Sequence, residues 1–305
     1  MDAHDSPRYH YHTGIFYHPS FSRRSYLTQG SRLEDFPHAL QSFLADSRHR
    51  LYESPTVAEE LILKVHTPEL LRQVKLDRLC STGWHSVGGV VLAAEKIMQR
   101  EIRNAFAFIG AGGHHSGRNF FGGYCCFNDV VIAIQVLREQ YGVKRFAILD
   151  TDAHHGDGTR DLIGKDPDVL HVCMCSSDWE SADGTKIDVH APGRFRWFPA
   201  APRVAEDEDI DRLYAQAAAL AFEPRVKEFK PELIFWYFGF DTHQGDYGDL
   251  GLTVKAYLQI AQMARNLAEE ICDGRLEVVL GGGSRSDIAR NVIPRVIEIL
   301  GHSAE

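Results

Sequence analysis

The stretch RFAILDTDAHHGDG, residues 145–158, decides how this chain is to be read. Its first half is a short apolar run ending on a carboxylate, which predicts a buried β-strand over 145–150. Its second half packs two aspartates, two histidines and two glycines into eight residues. In an extended chain alternate residues share a face, so Asp150, Asp152 and His154 point the same way. A carboxylate and an imidazole two residues apart suit the first coordination sphere of one divalent metal. A polar turn leading into a helix after Gly158 is the plainer alternative for this segment taken alone.

The surrounding sequence repeats the pattern. Buried strands are expected at 105–110 (AFAFIG), 169–175, 233–240 (LIFWYFGF) and 276–281 (LEVVLG), each apolar nearly throughout, as in strands covered on both faces. Helical periodicity lies between them, over 88–101, 128–141, 210–229, 253–273 and 286–300. Alternating strands and helices predict an α/β fold with a central, mostly parallel sheet and helices on both faces. No linker or repeat divides the 305 residues, so one domain is expected over 14–305, preceded by an N-terminal arm over 1–13. Residues 176–204, rich in Gly, Pro and Asp, are expected to form a long surface loop.

In open α/β sheets, chemistry gathers beyond the carboxyl ends of the strands. Here those ends carry Gly113-His114-His115 after 105–110, Asp152 and His154 after 145–150, and Asp241 after 233–240. Gly281-Gly282-Gly283-Ser284 follows the last strand. Asp152, His154 and Asp241 together make three ligands that leave a coordination position free for water, as in catalytic sites. His114 and His115 offer a proton acceptor and a second polar group. Asp150 and Asp157 are available to orient them.

The composition fits this picture. Hydrophobic residues make up 44% and charged residues 25%, and the net charge is −9, which leaves no basic footprint for a nucleic acid. No apolar run is long enough for a membrane span. The start of the chain has no signal-peptide character, so a cytoplasmic protein is expected. The six cysteines contain no Cys-x-x-Cys pair; reduced, buried thiols are expected, not a Cys-rich zinc site. His4, His10, His12 and His18 are read as part of an exposed arm, and Trp236, Tyr237 and Phe238 as core.

Taken in order, Gly113-His114-His115, Gly123-Tyr124-Cys125, Asn128-Asp129, Asp150-x-Asp152-x-His154-His155-Gly156-Asp157-Gly158 and Gly239-Phe240-Asp241 resemble the histone deacetylase superfamily. That superfamily includes acetylpolyamine amidohydrolases and acetoin-utilisation proteins. Val65-His66-Thr67-Pro68-Glu69-Leu70-Leu71, Val87-Gly88-Gly89 and Asp249-Leu250-Gly251-Leu252-Thr253 extend the resemblance, which runs from about residue 15 to 300.

The resemblance implies an arginase/deacetylase-type domain with about eight strands, and hydrolysis of an acylated amine with one Zn2+. It implies Asp152, His154 and Asp241 as metal ligands, His115 as general base and His114 as its neighbour, with Asp150 and Asp157 as their partners. Gly123 and Tyr124 would line the substrate tunnel. A structural K+ or Na+ would sit near Asp150, Asp152, His154, Cys173 and Met174. The substrate would be an acyl-lysine or acylpolyamine; neither oligomeric state nor acyl chain is fixed by the sequence.

Two departures stand out. The family's late motif normally ends Gly-Gly-Tyr, the Tyr donating to the substrate carbonyl, whereas Gly283 here precedes Ser284. A serine hydroxyl falls about 4 Å short of a phenol's reach. Three expectations follow: a water carried by Ser284, a substitute donor such as Tyr247 or His243, or a wider pocket. Ser284→Tyr is expected to raise activity on acetyl-lysine; an unchanged rate would mean that the oxyanion is served from elsewhere. The early His-Pro-Glu-Arg run is replaced by Ser31-Arg32-Leu33-Glu34-Asp35-Phe36-Pro37. Two other functions remain alternatives: a metal-containing acyl-group binder with little turnover, and a ureohydrolase-like binuclear manganese enzyme. The second would need more acidic residues than Thr242-His243-Gln244 provide after Asp241.

Overall fold

The near-continuous apolar runs become the inner strands of one sheet. In the computed structural model, which describes residues 9–23, 31–194 and 208–302, nine strands form a single sheet. They are β1 Tyr11–Tyr17, β2 His49–Glu53, β3 Ile102–Ala107, β4 Phe146–Asp150, β5 Val169–Cys175, β6 Trp179–Glu180, β7 Lys186–His190, β8 Leu233–Phe238 and β9 Leu276–Leu280. Their order is β2-β1-β3-β9-β8-β4-β5-β7-β6, and every pairing is parallel except the short β6 against β7. All residues of β4, β5, β8 and β9 are buried, which requires cover on both faces. Two groups of helices provide it. Gly83–Met98 packs on Asp129–Tyr141, and Ile210–Phe229, Val254–Cys272 and Ser286–Gly301 pack in series.

The helix starts are set by side chains. Asn128 accepts from Val131 N at 3.2 Å ahead of Asp129–Tyr141, and Gly142 closes that helix in the left-handed region. Thr253 caps Val254–Cys272 in the same way.

Four expectations need correction. The arm over 1–13 overlaps β1: residues 11–13 are in a strand, paired with β2 on one side and β3 on the other. His12 is half-buried there, and burial with Arg103 and Arg265 nearby lowers its pKa to about 4. His18 likewise leaves the arm, its ring stacked on His85; His4 lies outside the described residues. The 176–204 loop contains β6 and β7, which extend the sheet beyond β5 and bring the strands to nine. Finally, Cys80 and Cys126 are joined by a disulfide instead of remaining reduced. They are 46 residues apart, and packing of the 78–83 turn on the 125–127 segment brings their Cα atoms to 5.8 Å.

Candidate metal and catalytic site

β8 and β4 are neighbours, with Tyr237 directly opposite Asp150. The segments leaving their carboxyl ends therefore run side by side. Asp241 accepts from the backbone of Ala153 at 3.2 and 3.3 Å. His154 Nδ1 then lies 3.0 Å from Asp152 Oδ1 and 3.1 Å from Asp241 Oδ2. Three donor atoms from two strand ends thus converge on one point. Both carboxylates are buried, at 2% and 0% exposure, while the His154 side chain is 47% exposed. The site has a closed floor and one open side.

Electrostatics point to a cation. Burial, and then the Asp152 charge, raise the Asp241 pKa above the usual carboxylate range. Hydrogen bonds to Asp152 and Asp241 raise His154 to about 11. Two buried carboxylates facing each other are costly unless positive charge sits between them. Two oxygens and one imidazole nitrogen, with an open side, are a donor set that suits Zn2+ in a catalytic arrangement. The residues fit the metal.

The histidine pair comes from the segment after β3. Tyr237, at the end of β8, holds it: its hydroxyl accepts from Gly113 N at 3.0 Å, and its ring stacks on His114 at 4.7 Å. His114 is buried, with Nδ1 2.9 Å from Asp150 Oδ2 and Nε2 3.6 Å from Asp152 Oδ1. Burial opposes its charged form, but Asp150 and Asp152 outweigh it and raise its pKa to about 9. His115 stands nearer the opening, 20% exposed, with Nδ1 2.5 Å from Asp157 Oδ1. Burial and then neighbouring His114 lower its pKa. Two adjacent imidazoles are therefore driven apart, one towards the cation and one towards the neutral base.

Gly123 sits against His115. A Cβ there would lie 2.2 Å from His115 Cδ2, and φ is +53°, so glycine is needed both for space and for conformation. Tyr124 follows it, also at positive φ.

Beyond β9, Gly282 N donates to Asp152 Oδ2 at 2.7 Å and Gly283 N donates to the Tyr247 hydroxyl at 3.0 Å. The Tyr247 ring is 5.7 Å from that of His154. Ser284 faces elsewhere: its hydroxyl donates to Asp246 Oδ1 at 2.9 Å, and Asp246 also accepts from Ser284 N and Arg285 N. His243 stays out of the cluster, with Nδ1 2.8 Å from Gln244 O and its ring over Tyr257.

Sequence reading missed three contributors. Tyr237 is core, as expected, but nothing in the sequence marks the hydroxyl that steadies Gly113 and His114. Arg32 is buried and donates to Gly281 O at 2.5 Å, Gly283 O at 3.2 Å and Ile109 O at 3.1 Å, so it ties the glycine turn to the end of β3. Its neighbours, Ser31 before it and Leu33-Glu34-Asp35 after it, give no sign that it is buried. The third is a thiol cluster. Cys173 and Cys175 lie two apart on β5 and gather with His155 and Asp188, all four donor atoms within 4.8 Å of one another. The Cys173 hydrogen bond leads in lowering the Cys175 thiol to about 4. Spacing by Cys-x-x-Cys rules does not reveal a Cys-x-Cys pair on one strand face. Asp150, His171 and Cys173 form a further group able to hold a cation.

The chain is 29% identical over 296 residues to a "Probable deacetylase" of Archaeoglobus fulgidus, covering 89% of this chain and 81% of that one. It is 30% identical over 267 residues to the acetoin utilization protein AcuC of Bacillus subtilis, covering 78% and 67%. The crystal structure of the HDA15 HD domain superposes with a TM-score of 0.80 at 21% identity, covering 95% of this chain and 90% of that one, and so shares the fold. The model of the histone deacetylase domain matches residues 27–300, and the chain belongs to that family.

Proposed function

We propose that this protein is a zinc-dependent hydrolase that removes an acyl group from an acylated amine, of the acyl-lysine or acylpolyamine class. The observation that carries the proposal is the convergence of Asp152, His154 and Asp241 beside two carboxylate-oriented histidines. The deacetylase names of relatives support the same class. A bound zinc ion supplies Lewis acidity towards the acyl carbonyl and makes water a better nucleophile.

The chain's own residues supply the rest. His115, neutral and at the open side, accepts a proton at Nε2 while Asp157 holds Nδ1. The same imidazole returns that proton to the departing amine nitrogen. His114, buried on Asp150, places positive charge beside the reacting carbonyl. Gly123 leaves His115 uncovered for a slender acyl-amine stem, with Tyr124 beside it. A structural monovalent cation at Asp150 and Cys173 belongs to the same reading, supported by the convergence of those groups with His171.

The test is turnover of acetyl-lysine, acetylpolyamine and longer acyl homologues by the zinc-loaded protein, with His115→Ala alongside. We expect hydroxamate-sensitive cleavage, and a loss of about 10² or more in His115→Ala at unchanged metal content. Tight hydroxamate binding without cleavage would instead identify an acyl-group binder.

A further inference from the structure

We infer that Tyr247 is the hydrogen-bond donor to the oxyanion of the reacting acyl group, supplied from the loop after Asp241 and not from the turn after β9. The inference rests on the hydrolase reading above and assigns that site a further catalytic residue.

The geometry begins at Gly282. A Cβ built there would lie 2.7 Å from the Tyr247 hydroxyl, 2.5 Å from Asp152 Oδ2 and 2.9 Å from Asp241 Cγ. The phenol oxygen and the ligand carboxylates thus crowd around one backbone atom. Gly283 N donates to that oxygen, so the oxygen serves as acceptor in this contact and the O–H proton is not spent on it. Among the described residues no acceptor takes that proton. A phenol that accepts from a backbone N–H and leans over His154 therefore carries an unspent O–H at the edge of the metal ligands.

The position is built in. Asp246, immediately before Tyr247, accepts from Tyr247 N at 2.8 Å and from the Ser284 hydroxyl at 2.9 Å, and it also accepts from Ser284 N and Arg285 N. Ser284 is a clamp on the loop that presents the phenol, and its hydroxyl is occupied. The Ser284 O–H is thus turned to Asp246, while the Tyr247 phenol stands over the adjoining turn. In chemical terms, the carbonyl carbon goes from trigonal to tetrahedral as water oxygen bonds to it. The carbonyl π pair moves onto oxygen, and a preorganised O–H there lowers the barrier. The proton stays on Tyr247 throughout.

The experiment compares wild type with Tyr247→Phe, which keeps the ring. Turnover of acetyl-lysine is measured, together with zinc content and affinity for a trifluoromethyl-ketone analogue, which binds as its tetrahedral hydrate. Loss of one such donor predicts a fall in kcat of about 10²–10³ with KM nearly unchanged. Zinc content should match wild type, and ketone affinity should fall by roughly tenfold or more. Ser284→Tyr alone should reduce activity, since it breaks the Asp246 clamp and crowds Tyr247; combined with Tyr247→Gly it should recover part of the loss.

If Tyr247→Phe keeps kcat within about threefold of an active wild type, the inference fails and the hydrolase reading stands. If wild type cleaves no acylated amine, that reading fails, and the ketone decides the inference: weaker binding to Tyr247→Phe upholds it, equal binding overturns it. Absence of ketone binding to wild type overturns both.

Discussion

Adding one methyl group at Gly282 should disable the site without unfolding the protein. The backbone at Gly282 is not in the left-handed region, so alanine meets no conformational penalty there. Its Cβ, however, would fall 2.5 Å from Asp152 Oδ2, 2.7 Å from the Tyr247 hydroxyl and 2.9 Å from Asp241 Cγ. Restoring even the closest of these to the 3.4 Å at which ordinary contact begins needs a shift of about 0.9 Å. Asp152 cannot yield easily, because it is buried and Gly282 N holds the same oxygen at 2.7 Å. A misplacement of about 1 Å near the reacting groups costs on the order of 10²-fold in rate. Disturbing the surroundings of a metal ligand typically costs 10–100-fold in affinity, so we expect zinc affinity to fall by roughly that much. The assay is competitive zinc titration against a chromophoric chelator, with a thermal melt of the same samples. Zinc affinity within about twofold of wild type in a folded Gly282→Ala protein would show that the glycine turn does not border the metal ligands as described.

Three further outcomes follow from the same site. On the proposed mechanism His115 acts as a base only when neutral, and burial with neighbouring His114 holds its pKa below the ordinary imidazole value, so activity should persist at neutral pH and be lost only as pH falls below the ordinary imidazole range. Asp157→Asn removes a charge that favours the imidazolium and should move that acid limb lower still in a pH–rate profile. Arg32→Met leaves three buried carbonyls without their donor; at about 1–3 kcal/mol for each, denaturant unfolding should show a loss of about 3 kcal/mol or more.

What the sequence disclosed, and what it hid, follows the reach of each interaction. The inner strands β3, β4, β5, β8 and β9 were legible because burial on both faces writes itself as unbroken apolar runs. β1 begins Tyr-His-Thr-Gly and β2 is His-Arg-Leu-Tyr-Glu, so polar residues at the outer part of the sheet masked them. β7 was hidden in a Gly- and Asp-rich segment for the same reason. The clustering of Asp152, His154 and Asp241 could be anticipated because strand order places loop ends together. The bond between Ser284 and Asp246 joins residues 38 apart and depends on how two loops cross. No local pattern encodes that crossing. The disulfide between Cys80 and Cys126 and the Cys173–Cys175–His155–Asp188 cluster are likewise products of packing.

The strand order also has a consequence for how this protein is made. β2, β1 and β3 leave the ribosome first, and β4, β5, β6 and β7 follow. Yet these two groups never touch each other; β9 and β8 alone stand between them. Until residue 280 has emerged, the growing chain holds two half-sheets with open parallel edges, one at β3 and the other at β4 and then at β8 once that strand has paired. Asp241 arrives 87 residues after His154, so on the proposed assignment the nascent protein carries two of its three metal ligands until then. Joining of the two halves therefore waits for β9, well after Asp241 has arrived, and the interval before it is when this chain is most exposed to aggregation.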